Sequence, residues 1–303
     1  MTYFLIFAIV LFMDKKLIVL VGPPGSGKST LAKEYAKLNY TYVNQDTQGK
    51  DHIHTFDIAV MDGKCVVVDR MNFDKRQRGR YLQVAKENGY HTTIIVLHQP
   101  RKICYERAVA RTDHPTIKDG SSANSALNTF FSKYERPTSD EADVVEFRYP
   151  DIAKDVAIVC DLDGTLCNVD HRLHHVRTEE GVKKNWKAFF DNLMDDKPNQ
   201  WCAEIVDKFS TSLQIVYASG RPDDHRRKTE EWLKENNLDF HGSHLYMRCR
   251  GDHRQDYVAK EIILDFEILT RFKPLFFIDD RQQVVDLWRS RGFVCLACAK
   301  GDF

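Results

Sequence analysis

LIVLVGPPGSGKST, residues 17–30, decides the fold of the first half of the chain. Leu17–Val21 is a short apolar run of the kind that forms a buried parallel strand. The turn that follows, from Gly22 to Ser29, fits G-x-x-x-x-G-K-[ST], and a helical pattern continues through Leu31, Ala32, Tyr35 and Leu38. Strand, glycine turn and helix in that order are the context in which this motif cradles phosphate. Glycines let backbone N–H groups close around the anion, and the helix N-terminus adds a favourable dipole. The expected nucleotide contacts are Gly22, Gly25, Ser26, Gly27, Lys28, Ser29 and Thr30. Lys28 is placed to reach the β- and γ-phosphates, and Ser29 to ligate Mg²⁺.

Outward from this loop, buried runs at Tyr40–Val43, Cys65–Val68, Ile94–Leu97 and Val144–Phe147 alternate with helical stretches near Arg76–Asn88 and Arg101–Arg111. The alternation predicts an α/β fold with a doubly wound parallel sheet. Asp46 follows the second run, at the sheet edge that faces the glycine loop, where a carboxylate can take the proton of an attacking hydroxyl. Arg107 and Arg111 are four apart, so on one helix they project from one face and can stabilise charge in a transition state. Thr112–Thr116 reads as a turn-rich lid. Asp69 and Asn72 end the third run at the same edge as candidate substrate contacts, and the basic stretch Lys75–Arg80 is usable for an acceptor's phosphates.

The polar Tyr149-Pro150-Asp151 region breaks the rhythm, and a new buried strand begins at Val156–Cys160. The expected organisation is therefore a domain over residues 14–150 and a second, also a doubly wound parallel sheet, over 151–303. Strand Val156–Cys160 leads into Asp161-Leu-Asp163-Gly-Thr-Leu166, a D-x-D-G-T-[LV] loop. Asp161 is read as the nucleophile that attacks phosphorus, and Asp163 as the acid that protonates the leaving alkoxide and later activates water. Attack of a carboxylate on a phosphate sets like charge against like charge, which calls for Mg²⁺ between them. Ser219-Gly220-Arg221 follows the run Ile215–Ala218, Lys260 opens a later helical stretch, and Asp279-Asp280 follows Leu275–Ile278. These supply a phosphate-binding turn, a cation to neutralise a phosphoryl-aspartate, and acidic metal ligands, so that Ser29, Asp161, Asp163, Asp279 and Asp280 form the expected metal set.

Composition sets outer limits. Apolar residues make up 43% and charged residues 29% of the 303, as in a globular protein rather than a disordered or fibrous one. Forty-four Lys+Arg balance 44 Asp+Glu, so a nucleic-acid partner has to be held by local basic patches and not by a global field. Residues 1–150 carry 21 basic against 17 acidic residues. Eight cysteines lie scattered with one C-x-x-C, Cys295 and Cys298, which is neither a disulfide framework nor a zinc site. They are expected to be reduced thiols of a cytoplasmic protein. Residues 1–13 are mostly apolar and too short to span a bilayer; they read as an over-extended or disordered N-terminus, with a hydrophobic tail or anchor as the alternative.

The D-x-D-G-T loop with Ser219, Lys260 and Asp279-Asp280 resembles the haloacid-dehalogenase-type phosphatases. The chain from Leu17 onward resembles the bacteriophage-type polynucleotide 5′-kinase/3′-phosphatases, in the order of its halves and in local stretches: residues 251–260 (GDHRQDYVAK), 278–285 (IDDRQQVV) and Gly301-Asp-Phe303. The resemblance implies transfer of the ATP γ-phosphate to 5′-hydroxyl ends of RNA or DNA, and removal of 3′-phosphate or 2′,3′-cyclic phosphate ends. It carries Arg107 to ATP, Arg111 and Lys260 to catalysis, and Ser219, Gly220 and Arg221 to substrate binding. It further implies a downstream nucleic-acid ligase, no membrane, and a homotetramer. Two positions depart from the pattern: Gly49 stands where an arginine that binds the acceptor phosphate is expected, and Arg70 where an aspartate is expected. A small-metabolite kinase fused to a metabolite phosphatase would have no need of a groove lined by Lys75–Arg80, Arg248, Arg250 and Arg254. A non-catalytic end-binding protein would have no need of Lys28, Asp46, Asp161 and Asp163 together.

Overall fold

The computed structural model describes residues 15–111, 115–177 and 182–299. The apolar N-terminal stretch, the first lid residues Thr112–His114 and the terminal Gly301-Asp-Phe303 lie outside the described residues. The chain divides into two compact units, with the change at Tyr149/Pro150.

In the first unit β1 (Lys16–Val21), α1 (Lys28–Lys37), β2 (Thr41–Asn44), α2 (His52–Met61), β3 (Val66–Asp69), α3 (Lys75–Glu87), β4 (His91–Leu97), α4 (Arg101–Val109), α5 (Gly120–Lys133) and β5 (Val144–Arg148) follow in order. The strands form one parallel sheet in the order β2-β3-β1-β4-β5. β1 and β3 are central, which is why LIVLV and VVV read as unbroken apolar runs: both faces of these strands are covered. Register Leu20↔Asp69 and Asn44↔Asp69 puts the ends of β1, β2 and β3 level at one edge.

The second unit repeats the plan: β6 (Asp155–Cys160), α6 (Gln200–Ser210), β7 (Gln214–Pro222), α7 (Arg226–Glu235), β8 (His244–Arg248), α8 (Asp256–Ile263), β9 (Phe272–Asp279), α9 (Gln282–Ser290) and β10 (Cys295–Ala297). Its sheet is parallel in the order β8-β7-β6-β9-β10. Alternation along the strands divides the core in two. Ile158, Cys160, Ile215 and Tyr217 pack with Leu166, Phe189 and Trp232 on one face. Ala157, Val159, Val216 and Ala218 pack with Leu264, Val284 and Trp288 on the other. Between β6 and β7 the chain makes an insertion whose base is the antiparallel pair Cys167–Asn168 and Lys197–Pro198, and which carries a short helix, Trp186–Asp191.

Both halves are thus doubly wound parallel α/β units. One helical expectation fails: α4 ends at Val109, capped by Ala110, so Arg107 and Arg111 do not share a helix face. All eight cysteines are free thiols. Among the described residues no helix is long and apolar enough to cross a membrane.

Candidate active sites

In open parallel α/β sheets ligands bind at the carboxyl ends of the strands, and both units concentrate their chemistry there. In the first unit the loop after β1 folds back tightly. Gly25 has φ +81°, and a side chain there would run into the backbone of Cys104 on α4. Lys28 is buried, and its ammonium donates to the Gly22 and Pro23 carbonyls at 2.8 Å each. Burial lowers the Lys28 pKa, opposed by Asp69, Cys104 and Asp46 and reinforced by Arg111. Asp46, Asp69 and Arg111 are therefore within electrostatic reach of the lysine, and Arg107 is exposed. Ser26 Oγ is buried and has no hydrogen-bond partner among the described residues, in a loop built to hold an anion.

Asp46 sits in the one-turn helix Gln45–Gln48, whose N-cap Asn44 accepts from the Thr47 amide. Thr116, at the lid end that is described, donates to Asp46 Oδ1 at 3.4 Å. Asp69 is buried and accepts from Tyr42 Oη at 2.7 Å and Asn44 Nδ2 at 2.8 Å. Its place next to Lys28 suits the phosphate and metal side of the loop better than an acceptor groove. Asn72 corrects the expectation of a substrate contact. It is fully buried with φ +47°, and its amide donates to Leu20 O at 2.8 Å, bracing the end of β1. The basic run 75–80 is also thinner than its sequence suggests. Arg78 is buried in a two-pronged pair with Glu141 (2.7 and 2.9 Å), and Lys75 pairs with Asp140.

In the second unit Asp161 follows β6, with its amide bonded to Ile278 O on β9 at 3.0 Å. Lys260, on α8 and fully buried, lies 2.7 Å from Asp161, 2.9 Å from Asp279 and 3.6 Å from Asp256. Burial works to lower the Lys260 pKa, but Asp161, Asp279 and Asp256 overcome it and hold the pKa well above the usual lysine value. Burial and the neighbouring carboxylates raise Asp161, and they push Asp280 up to about 6. Three buried carboxylates, Asp161, Asp279 and Asp280, bring ligand atoms within 4.8 Å of one another. Hard oxygen donors that resist ionisation for want of positive charge fit a divalent cation such as Mg²⁺. Gly164, at φ +89°, leaves room for this arrangement, because a side chain there would meet the Asp280 carboxylate.

Asp163 faces a different environment. Arg221 Nη2 donates to it at 2.6 Å and Arg172 Nη2 at 2.5 Å, and both arginines also bond Asp196. Burial works to raise the Asp163 pKa, but Arg221 and Arg172 overcome it and hold the carboxyl well below the usual range. The two aspartates of D-x-D thus have divergent proton affinities, as an acid–nucleophile division of labour requires. The order is the reverse of that division, however, and Asp163 can hold a proton only when the guanidiniums turn elsewhere. Arg221 is fully buried, its guanidinium shared between Asp163 and Asp196. Ser219 is likewise enclosed, its Oγ accepting from the Arg221 amide at 3.1 Å.

Arg172, Asp196 and Asp256 were not legible as site residues. Asp256, four residues before Lys260 on α8, had the best signal. Arg248, Arg250 and Arg254, read as groove cations, each pair with an aspartate: Asp256, Asp224 and Asp252. Arg172→Ala leaves two buried carboxylates short of a cation and is expected to cost the second unit about 3–5 kcal/mol. Urea unfolding followed by tryptophan fluorescence measures this, because all four tryptophans lie in that unit.

A glycine phosphate loop on one parallel sheet and a buried Asp–Lys–Asp cluster on another define an α/β protein that joins a P-loop nucleotide-binding unit to a haloacid-dehalogenase-like unit. Residues 155–303 match the family model of the polynucleotide kinase PNKP phosphatase domain, and residues 17–137 match that of the AAA domain. An Autographa californica nuclear polyhedrosis virus protein described as a bifunctional polynucleotide kinase/RNA ligase is 26% identical over 91% of this chain and 41% of its own length. A Schizosaccharomyces pombe bifunctional polynucleotide phosphatase/kinase is 32% identical over 42% of this chain and 31% of its own. The chain spans less than half the length of these curated relatives. Among solved structures, a chain of the Pnkp1/Rnl/Hen1 RNA repair complex aligns over 96% of this chain and 97% of its own, at 24% identity and a TM-score of 0.42.

Proposed function

We propose that this protein heals broken nucleic-acid strands, phosphorylating 5′-hydroxyl ends from ATP and removing 3′-phosphate ends, RNA or DNA, before a ligase joins them. What carries the reading is the buried Asp161–Lys260–Asp279 cluster, in a segment that matches the polynucleotide kinase phosphatase family model and in the same chain as a phosphate loop.

In the first unit the acceptor's 5′ oxygen attacks the γ-phosphorus while Asp46 takes its proton. Lys28 exchanges the Gly22 and Pro23 carbonyls for phosphate oxygens, and Arg111 balances the charge that develops. In the second unit an Asp161 oxygen forms a bond to phosphorus, and the bond from phosphorus to the 3′ oxygen breaks. A dianionic phosphate competes with Asp163 for Arg172 and Arg221, which frees Asp163 to carry the proton that the leaving oxygen takes. Water, giving its proton back to Asp163, then cleaves the aspartyl-phosphate, and Lys260 offsets the charge lost and regained at Asp161. Mg²⁺ held by Asp161, Asp279 and Asp280 would screen carboxylate from phosphate, and with Ser29 and Asp69 would serve the first unit similarly.

The deciding experiment supplies ATP, Mg²⁺ and an oligonucleotide bearing a 5′-hydroxyl and a 3′-phosphate, and follows both ends. Absence of both reactions, with turnover of small phosphate esters intact, would return the protein to the metabolite-enzyme alternative. Arg70 and Arg80 both act on the buried His52 and Tyr81, and His52 Nε2 has no hydrogen-bond partner among the described residues. These groups lie just beyond Gly49, whose carbonyl contacts His52 Nδ1 at 2.6 Å. Arg70 is one cation close to the place where Gly49 offers none, and it would hold an acceptor phosphate there. Arg70→Ala is expected to raise KM for the oligonucleotide about tenfold and leave KM for ATP unchanged.

A further inference from the structure

The cleft over Asp161 and Asp163 has a volume of about 720 Å³, within the range of ligand sites, and is too large for a phosphate group alone. Most of its lining is polar or charged, as a phosphate site demands. One wall is different: Trp186, Phe189, Phe190 and His225 line it together. Phe189 and Phe190 are buried, but Trp186 keeps 39% of its surface open, which is unusual for a large aromatic ring beside packing partners.

The ring is held and not loose. It stacks on Phe190 with centroids 5.9 Å apart and planes at 21°, and meets Phe189 edge-on at 5.7 Å. Phe190 in turn packs against His225 at 5.3 Å. Asn185 caps the short helix, accepting from the Ala188 amide at 3.1 Å. Arg172 fixes the wall to the chemistry: its guanidinium lies 4.0 Å over the Phe189 ring and donates to Phe189 O at 3.1 Å, while it bonds Asp163. Lys184 Nζ lies over the Trp186 ring, 5.6 Å from its centroid, and lines the same cleft.

We propose that Trp186 is a stacking platform for the last nucleobase of the 3′-phosphorylated strand, and that the second unit therefore prefers ends whose terminal base is unpaired. This deepens the proposed function and rests on it. A base within a duplex keeps its faces against its neighbours, whereas a splayed terminal base offers a free face to an aromatic ring. Stacking tolerates any base, so the platform selects a nucleotide end over a small phosphate ester without selecting a sequence.

The test compares two 3′-phosphorylated single strands, identical except that the terminal nucleotide of one is abasic, in the wild type, Trp186→Ala and Trp186→Phe. Expected is a wild-type kcat/KM about tenfold higher on the base-bearing end. Trp186→Ala should lose that preference and Trp186→Phe keep most of it, since a phenyl ring still stacks. Equal rates on both ends in the wild type, or a preference that survives Trp186→Ala, overturn the platform and leave the end-healing reading intact. Phosphate release from glycerol phosphate but from neither oligonucleotide overturns both.

Discussion

Asp161→Asn is expected to lower phosphate release from 3′-phosphorylated ends at least about a thousandfold, with transfer of the ATP γ-phosphate unchanged. The amide has no oxygen that can form a bond to phosphorus and leave again, so the covalent route closes. The side chain is buried, 2.7 Å from Lys260 and flanked by Asp279 and Asp280, which makes the substitution nearly isosteric and removes one negative charge from a crowded cluster. Lys260 keeps Asp279 at 2.9 Å and Asp256 at 3.6 Å, so the cation is not orphaned and the unit stays folded. Inorganic phosphate released from the oligonucleotide reads one activity, and label transferred from ATP reads the other. Residual release near wild-type rates would mean that Asp161 is not the nucleophile. Loss of both reactions in a folded protein would mean that the halves do not act as separate catalysts.

The difference between Asp161 and Asp163 also shows how far sequence can carry such a site. D-x-D-G-T identifies two carboxylates on one turn, and the buried strand before them places that turn at the ligand edge. Nothing local says which aspartate will be held charged. That depends on Arg172 and Arg221, nine and fifty-eight residues from Asp163, and on Asp196, twenty-four residues from Arg172. Such pairings leave no periodic signal, so Arg172 and Asp196 were invisible. The strands β1, β3 and β6 were legible because burial on both faces demands unbroken apolar runs. The outer strands β8 and β10 were not, since several of their residues remain half-exposed and their runs are mixed.

The errors share a cause. Residue type was read as availability. Arg78 and Asn72 carry the right groups for phosphate or acceptor contact, yet the fold uses them internally, on Glu141 and on the Leu20 carbonyl. Arg107 and Arg111 fail differently, because a four-residue spacing means a shared face only while the helix lasts, and α4 stops at Val109.

Asp46→Asn is accordingly the strongest expectation for the first unit: phosphorylation of 5′-hydroxyl ends should fall about 10²–10⁴-fold, the usual contribution of a positioned general base. The asparagine keeps the shape of the one-turn helix Gln45–Gln48, whose Asn44 cap does not involve Asp46, so folding is spared. ATP binding should change little, because Lys28 retains Asp69 as its leading carboxylate neighbour and its contacts to the Gly22 and Pro23 carbonyls. The loss must therefore lie in kcat and not in KM for ATP, which separates a base from a nucleotide-binding group. Phosphate release from 3′ ends should be untouched. An Asp46→Asn protein with weakened ATP binding and normal kcat would move Asp46 from the acceptor's proton to the donor's phosphates.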